Sequence, residues 1–177
     1  HISTLQRIFP ESYVWMDRFT MKNLELFNSN SINGFNLSDT IDETITSMGS
    51  RKLKSWIAFP LIDKKEIKKR QEIVQSIMSD DEISRLLDIN LNNISDIERL
   101  MSKIATYKIS PRELVNLKSS LENVDLIKDS LLVYSGVLKN YGKSLPNSKS
   151  IIGAISKTLK DDSPVSILKG DFIKDGF

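Results

Sequence analysis

The 177-residue chain contains no cysteine and only one histidine, His1. Without cysteine it can form neither a disulfide framework nor a thiolate metal site, and the composition fits a reducing compartment, so we expect a cytoplasmic protein. His1 stands at a chain end, where it is poorly placed to act as a general base, and no Ser-His-Asp set can be assembled without it. The sequence therefore predicts no catalytic residue and no metal ligand.

Long apolar runs and a clear excess of one charge are also missing. No apolar run approaches the roughly 20 residues that span a bilayer, so no membrane partner is expected. The 25 basic and 23 acidic side chains give a formal net charge of +2, which by itself argues neither for nucleic acid nor for an anionic membrane. The chain begins at His1 rather than at Met and ends without a polar tail, which indicates a fragment of a longer protein.

Helical periodicity accounts for most of the sequence and predicts a mainly α fold. The spacing i, i+3, i+4, i+7, i+8 of an amphipathic helix is followed without a miss by Ile97, Leu100, Met101, Ile104 and Ala105. Stretches with strand character occur only near the ends, at YVWMD (13–17), VSIL (165–168) and DFIK (171–174). We therefore expect an irregular multi-helix domain with a few short β-strands near the two ends.

Capping residues and breaks in the apolar pattern predict where helices begin and end. Ser110 and Glu113 form a capping-box pair with proline at the first helical position, and Ser95 with Glu98 repeats the box. Ser38 is predicted to cap a helix that runs to Thr46. A slip of the apolar phase at 125–128 predicts a break there. A helix that follows Met48 and Gly49 is predicted to end at about Phe59, because Pro60 disfavours helix in the residue before it. Further predicted helices cover residues 20–27, 126–140 and 151–159.

The segment GVLKNYGKS (136–144) resembles a phosphate-binding P-loop but departs from it. A P-loop requires G-x-x-x-x-G-K-[ST] after a buried strand, whereas Gly136 and Gly142 are one residue too far apart and follow an amphipathic helix. We interpret the segment as a helix C-terminus in which Gly142 adopts the left-handed cap conformation.

Two basic stretches are candidates for binding surfaces. In KKEIKKRQE (64–72), Lys64 to Arg70 could contact phosphates, but mixed charges and a predicted Glu66–Arg70 pair favour a solvated helix face. In SMGSRKLKSWIAFPLID (47–63), helical spacing with Leu53 predicts Trp56 as a core anchor. The flanking basic residues are expected to pair with carboxylates of a neighbouring domain or helix; they are Arg51, Lys52 and Lys54.

Several segments, in this order, resemble the MutS family of DNA mismatch repair proteins. They are HISTLQRIF, MDRFTMKNLELF, LSDTIDETITSMGSRKLKSWIAFPLID, IKKRQEIVQ, DIERLMSKIATYKISPRELVNLKSSL and VSILKGDFIKDGF. The resemblance covers essentially the whole chain. Its most specific residues form a structural signature: Asn23, Leu24, Glu25, Leu26, Gly49, Arg51, Leu53, Trp56, Pro60, Leu61, Glu98, Arg99 and Leu100. The closing motif departs mildly, since Gly170-Asp171 and a final Phe177 stand where the family commonly has a double glycine and a tyrosine.

The resemblance implies a place and a role for the chain. Residues 1–14 would be the tail of a connector-like domain, and residues 15–177 the first half of a helical core or lever domain that couples the DNA clamp to the ATPase. Gly49 would permit a close backbone approach and Pro60 would turn the chain. The mismatch-recognition, clamp and ATPase domains would be absent.

The resemblance also implies the chemistry of the longer protein. The fragment itself would not be an enzyme and would hold no cofactor, whereas the full-length protein would be a DNA-dependent ATPase that uses ATP and Mg. Its partners would be mismatched duplex DNA, a second copy of itself and a MutL-type protein. Two alternatives stay open: a MutS-like paralogue acting in recombination, and a stand-alone helical nucleic-acid-binding module that uses Lys64 to Arg70.

Overall fold

The computed structural model describes residues 10–176, and these fold into nine α-helices. They are α1 (Arg18–Asn23), α2 (Leu37–Ile41), α3 (Ser47–Ala58), α4 (Lys64–Met78), α5 (Asp81–Asn92), α6 (Ile97–Ala105), α7 (Pro111–Val133), α8 (Gly136–Ser144) and α9 (Lys149–Thr158). The predicted mainly α class is confirmed. The chain divides into a first unit, residues 10–44 with 49–72, and a second unit, residues 45–48 with 73–176. The connector-like tail predicted for residues 1–14 falls mostly on residues 1–9, outside the described part.

The expected β-strands are not confirmed. Residues 10–176 contain two isolated antiparallel bridges, Tyr13 with Leu61 and Leu159 with Ile173, and no named strand. The segment VSIL contributes to a 3-10 helix at Ile167–Lys169 instead. Its backbone turns there because the Ser166 hydroxyl accepts the amide of Leu168 at 3.3 Å, which favours a turn over an extended chain.

Two short helices of the first unit begin at polar caps. The carboxylate of Asp17 accepts the amide of Thr20 at 2.6 Å, and the side-chain oxygen of Asn36 accepts the amide of Asp39 at 2.8 Å. Each bond satisfies an N-terminal amide that has no partner within its helix. The prediction that Ser38 caps this helix is wrong, because Ser38 lies inside α2.

The core of the second unit lies between α5, α7 and α8. Its centre consists of four buried side chains, Ile83, Ile127, Leu131 and Leu138. Burying one such side chain contributes about 1.5–3 kcal/mol. Helix α7 is the common element of this unit, since it contacts α5, α6, α8 and α9.

Helix α7 is continuous over 23 residues, so the predicted break at 125–128 and the separate helix 126–140 are both wrong. The apolar phase slips because α7 buries residues toward several neighbours rather than along one stripe. Lys128 stays within the helix and donates from its ammonium group to the carbonyl oxygens of Leu145 at 2.9 Å and Pro146 at 3.2 Å. The chain breaks later, at Tyr134 and Ser135, before α8 begins.

The segment after α9 is held mainly by polar contacts; we call residues 159–176 the C-terminal segment. Lys118 of α7 bonds to Asp161 at 2.5 Å, and the Arg112 side chain donates to the carbonyl oxygen of Ser163 at 3.2 Å. Lys174 donates to the Ser156 carbonyl at 2.7 Å. These contacts join the start of α7, the end of α9 and the C-terminal segment.

Candidate functional site

The NLEL residues form a turn rather than the helix predicted over 20–27. Helix α1 ends at Asn23, and the amide of Leu24 closes it by bonding to the Thr20 carbonyl at 2.9 Å. Glu25 has a φ of 51°, a left-handed conformation that helix interiors do not contain. The turn places Leu26 in the interior, where it is 7% exposed, and leaves Leu24 57% exposed.

The same turn completes the start of α2. The amides of Leu37 and Ser38 donate to the carbonyl oxygens of Glu25 and Leu26, each at 2.9 Å. The Glu25 carboxylate accepts the amide of Asn30 at 2.7 Å and so fixes the intervening loop. Since two free amides at the start of α2 find their partners here, this signature segment joins α1, the loop and α2.

Trp56 is not the core anchor that its spacing predicts. Its side chain lies on α3 and is 40% exposed, and the guanidinium carbon of Arg70 on α4 lies 3.9 Å from its ring centroid. Leu53, one turn earlier, is partly buried. The contact is a cation–π pair that joins two helices of the first unit. Glu66 pairs instead with Lys69, at 3.9 Å, so the predicted Glu66–Arg70 pair is replaced.

Gly49 and Arg51 lie in the first half of α3, which begins at Ser47 and ends at Ala58 before Pro60, as the sequence predicts. Beyond it, Leu61 bridges to Tyr13. The amide of Val14 donates to the Pro60 carbonyl at 2.8 Å. The signature proline therefore follows the end of the helix and also accepts a hydrogen bond from the segment that precedes α1.

Asp42 is an organising residue that the sequence pattern does not single out. Its carboxylate accepts the hydroxyl of Ser50 and that of Thr44, the latter at 2.5 Å. Both bonds lower the pKa of Asp42, and the bond from Ser50 has the larger effect. The positive charge of Lys54 lowers this pKa further. Lys54, one of the basic residues of α3, thus has a carboxylate, that of Asp42, near it within the first unit.

The signature residues Glu98, Arg99 and Leu100 lie in the first turn of α6, directly after its N-cap. Asp96 accepts the amide of Arg99 at 3.1 Å, so the cap is Asp96 rather than the predicted Ser95. The Ser95 amide instead donates to the buried hydroxyl of Ser120 on α7 at 3.0 Å. Leu100 faces inward with 7% exposure, while the side chains of Glu98 and Arg99 are exposed.

The box predicted at Ser110 and Glu113 is confirmed and extends to α6. The Ser110 hydroxyl accepts the Glu113 amide at 3.3 Å, and the Glu113 carboxylate accepts the Ser110 amide at 3.0 Å. Lys103 of α6 also bonds to this carboxylate. The Lys103 bond is the main cause that lowers the pKa of Glu113, and the Ser110 amide adds to it.

The P-loop-like segment forms helix α8 and offers no phosphate cradle. Its backbone amides are engaged within the helix beyond the first turn, whereas a P-loop directs successive free amides at one ligand. The rejection of a P-loop is supported, but the predicted role of Gly142 is wrong. Gly142 is buried inside α8, and Gly136, at its start, has the positive φ of 62°.

The described residues, 10–176, include an apolar cavity but no metal-binding cluster. No cluster of three or more His, Asp or Glu side chains there could hold a metal ion. None of the helices in this range has both the length and the apolar character needed to cross a membrane. The second unit contains an apolar cavity of ≈ 380 Å³, whose lining includes Ile77, Leu91, Ile94, Val124 and Tyr141.

Comparison with known proteins assigns the chain to a family. The model of MutS domain III matches residues 19–175. DNA mismatch repair protein MutS of Flavobacterium johnsoniae is 45% identical over 99% of this chain, that of Christiangramia forsetii 43% over 100%, and that of Phocaeicola vulgatus 40% over 99%. The chain spans 20% of the length of each of these relatives. The chain therefore belongs to the MutS family of DNA mismatch repair proteins, of which residues 19–175 represent domain III.

Proposed function

We propose that this chain is the helical core, or lever, part of a mismatch repair ATPase and that it couples the DNA clamp to the ATPase domain. It performs no chemistry of its own, and ATP and Mg bind elsewhere in the full-length protein. The observation that carries the proposal is helix α7, a continuous 23-residue element that contacts four other helices. At 1.5 Å per residue it is about 35 Å long, so a displacement at one end reaches the other.

The proposal requires two arrangements of the domain with different contacts. A nucleotide shifts such an equilibrium only by its difference in affinity for the two states. The polar contacts between α7 and the C-terminal segment can exchange without opening the apolar core. Lys118–Asp161 and Arg112–Ser163 are such contacts, and we assign the change of arrangement to them.

A pair of substitutions on α7 tests the proposal in the full-length protein. Ser119→Gly with Glu122→Gly loosens the exposed face of α7 without removing a buried side chain, by about 1 kcal/mol per residue relative to alanine at the same positions. Ser119→Ala with Glu122→Ala changes the same positions and keeps the helix stiff. We expect the glycine variant to bind mismatched DNA and hydrolyse ATP normally but to lose ATP-dependent DNA release, with the alanine variant unaffected. Normal release from both variants would overturn the proposal.

Partners and location follow from the same assignment. The full-length protein would bind mismatched duplex DNA through its other domains, act as a homodimer, recruit a MutL-type protein and work in the cytoplasm. A paralogue that acts in recombination is the second candidate. Mismatch repair is preferred because the relatives named above all carry that function in their names.

A further inference from the structure

The apolar cavity of the second unit reaches the centre of that unit's core. Its lining includes Ile127, Leu131 and Leu138, which are three of the four buried core residues. Its volume of ≈ 380 Å³ lies in the range typical of small-molecule sites, about 300–1,000 Å³. Native interiors contain few voids larger than a water molecule, so a cavity of this size beside the core calls for an explanation.

The cavity is a pocket enclosed by many elements rather than a groove along one helix. Each of the helices α3 to α8 contributes to the lining, and all the lining residues belong to the second unit. A partner helix requires an elongated groove that receives apolar anchors at successive turns. A pocket with walls on several sides instead suits a compact molecule.

The chemistry of the lining selects a neutral and largely apolar occupant. Among the described residues of the lining, none is charged, and all except Thr46 and Tyr141 have apolar side chains. A buried water requires about two to four polar partners, which such a lining does not supply. A charged ligand would lose its hydration without meeting an opposite charge. Water and charged metabolites are therefore both poor occupants.

The volume and the exposure of the lining define the size and orientation of this occupant. An engineered aliphatic cavity of about 150 Å³ binds benzene, so by proportion ≈ 380 Å³ accommodates up to about 15 non-hydrogen atoms. Tyr141 is 52% exposed and is the lining residue most open to solvent, which places the mouth of the cavity beside it. A bicyclic aromatic molecule with one neutral polar group fits, with its rings inside and the polar group at the mouth.

Two contacts fix the walls on the side of α7 and α8. The Lys128 ammonium group donates to the carbonyl oxygen of Leu145, a lining residue, at 2.9 Å. Gly142 lets α8 lie close to α7, since a Cβ at this position would be 2.9 Å from the Cβ of Leu131. Because these walls are already in place, a ligand loses little affinity to their ordering.

We propose that the cavity binds a neutral, mostly apolar molecule of the size of a bicyclic aromatic compound. Such a ligand contacts α4, α5, α7 and α8 at once and stabilises their packing, because it binds the folded state alone. The inference does not depend on the coupling role of α7 or on DNA. Its failure leaves the proposed function intact.

The test measures the binding of naphthol to the full-length protein by calorimetry, with naphthoate as the charged counterpart of the same ring system. Val124→Phe fills the cavity from α7. Val133→Phe makes the same change on the same helix at a side chain that is 86% exposed and outside the lining, and it is the matched control. Ile94→Phe fills the cavity from the segment between α5 and α6 and decides the test if Val124→Phe does not fold. Melting temperatures no lower than that of the wild type establish folding.

We expect naphthol to bind the wild type and Val133→Phe equally and to raise their melting temperatures, whereas naphthoate does not bind. The affinity of the cavity-filling variant for naphthol should fall by about tenfold or more, since even one extra methylene changes the fit of an apolar pocket by that factor. If naphthol did not bind the wild type, the cavity would be closed or filled by another part of the polypeptide, and the proposal would be overturned. Undiminished binding by the cavity-filling variant, or binding of naphthoate as tight as that of naphthol, would equally overturn it.

Discussion

The guanidinium group of Arg70 lies 3.9 Å from the centroid of the Trp56 ring and thereby links α4 to α3 within the first unit. The two residues are 14 positions apart, on helices that meet at a signature tryptophan. This contact changes the energetic role of Trp56, since a ring that is 40% exposed and covered by a cation is not a core side chain.

Truncation of Trp56 should therefore cost less than removal of a core aromatic. We expect Trp56→Ala to lower the free energy of unfolding by about 1–2 kcal/mol, against about 3–5 kcal/mol for a buried ring. Arg70→Gln should also lower the free energy of unfolding, by less than Trp56→Ala does. A double-mutant cycle monitored by urea unfolding should give a coupling of about 0.5–1 kcal/mol, and additive effects would show that the contact contributes nothing.

Leu131 should behave as a core residue, because only 2% of it is exposed and it lies at the centre of the second unit. Leu131→Ala is expected to cost about 2–5 kcal/mol in chemical denaturation, from lost burial and the cavity left behind. Val133→Ala, two residues later on a side chain that is 86% exposed, should change stability by less than about 0.5 kcal/mol. Equal losses at both positions would contradict the described packing of α7.

Two helical glycines should respond to alanine with opposite signs. A Cβ at Gly142 would lie 2.9 Å from the Cβ of Leu131 and 3.3 Å from the Lys128 carbonyl oxygen, so Gly142→Ala should destabilise by about 1–3 kcal/mol. A Cβ at Gly153 of α9 meets nothing within 4 Å, so Gly153→Ala should stabilise by about 0.5–1 kcal/mol. The comparison of melting temperatures checks both, and a stabilising Gly142→Ala would refute the close approach of α8 to α7.

The Glu113 carboxylate should contribute a pH-dependent stability. Its pKa is lowered, chiefly by Lys103, below the ordinary value of 4.5. The unfolded state therefore binds the proton more tightly, so the contribution is complete above pH 4.5 and is lost as the pH falls through the folded-state pKa. Glu113→Gln should reduce stability at pH 7 and flatten the decline of stability that begins as the pH falls below about 4.5. Glu122→Gln, an exposed position on the same helix, is the control, and the same decline in all three proteins would count against the contact.

The C-terminal segment should loosen when salt is added. Lys118–Asp161 and Lys160–Asp171 are its ion pairs, and both aspartates are strongly exposed to solvent. Amide hydrogen exchange of residues 160–174 is expected to speed up from low to high salt, because screening weakens exposed pairs, while the α7 amides stay protected. Salt-independent exchange of the segment would mean that its apolar contacts, not its charges, hold it.

Short-range chemistry was predictable only in part, since the Ser38 cap, the Ser95 cap and the Glu66–Arg70 pair were wrong, and long-range packing was not predictable. The Ser110–Glu113 box depends on residues three positions apart, and the Pro60 boundary on one residue, so both could be predicted. At the predicted break, Lys128 instead bonds to the carbonyl oxygens of Leu145 and Pro146, and such distant partners leave no local signal in the sequence. A periodicity that assumes one buried face cannot detect a helix with neighbours on several sides.

The signature residues illustrate the same limit. The spacing of Leu53 and Trp56 predicts a shared helix face, which the structure has, but cannot reveal that Arg70 rather than an apolar side chain covers the ring. At NLEL, helical spacing predicts a helix through residue 27, yet Glu25 adopts a positive φ. In this conformation its carboxylate accepts the amide of Asn30 and its carbonyl oxygen accepts the amide of Leu37. Asp42 belongs to no motif that the sequence analysis singles out, and it accepts hydrogen bonds from Thr44, two residues away, and from Ser50 on α3.

The measurement that tests the coupling account most directly is hydrogen exchange of the full-length protein on mismatched DNA, with and without ATP. A rigid relay predicts that the amides of residues 115–131 in α7 keep the same protection in both states while those of residues 160–174 change. If α7 itself lost protection when ATP binds, it would be melting rather than transmitting. If nothing in residues 10–176 changed, the domain would not take part in coupling, and the account would be wrong.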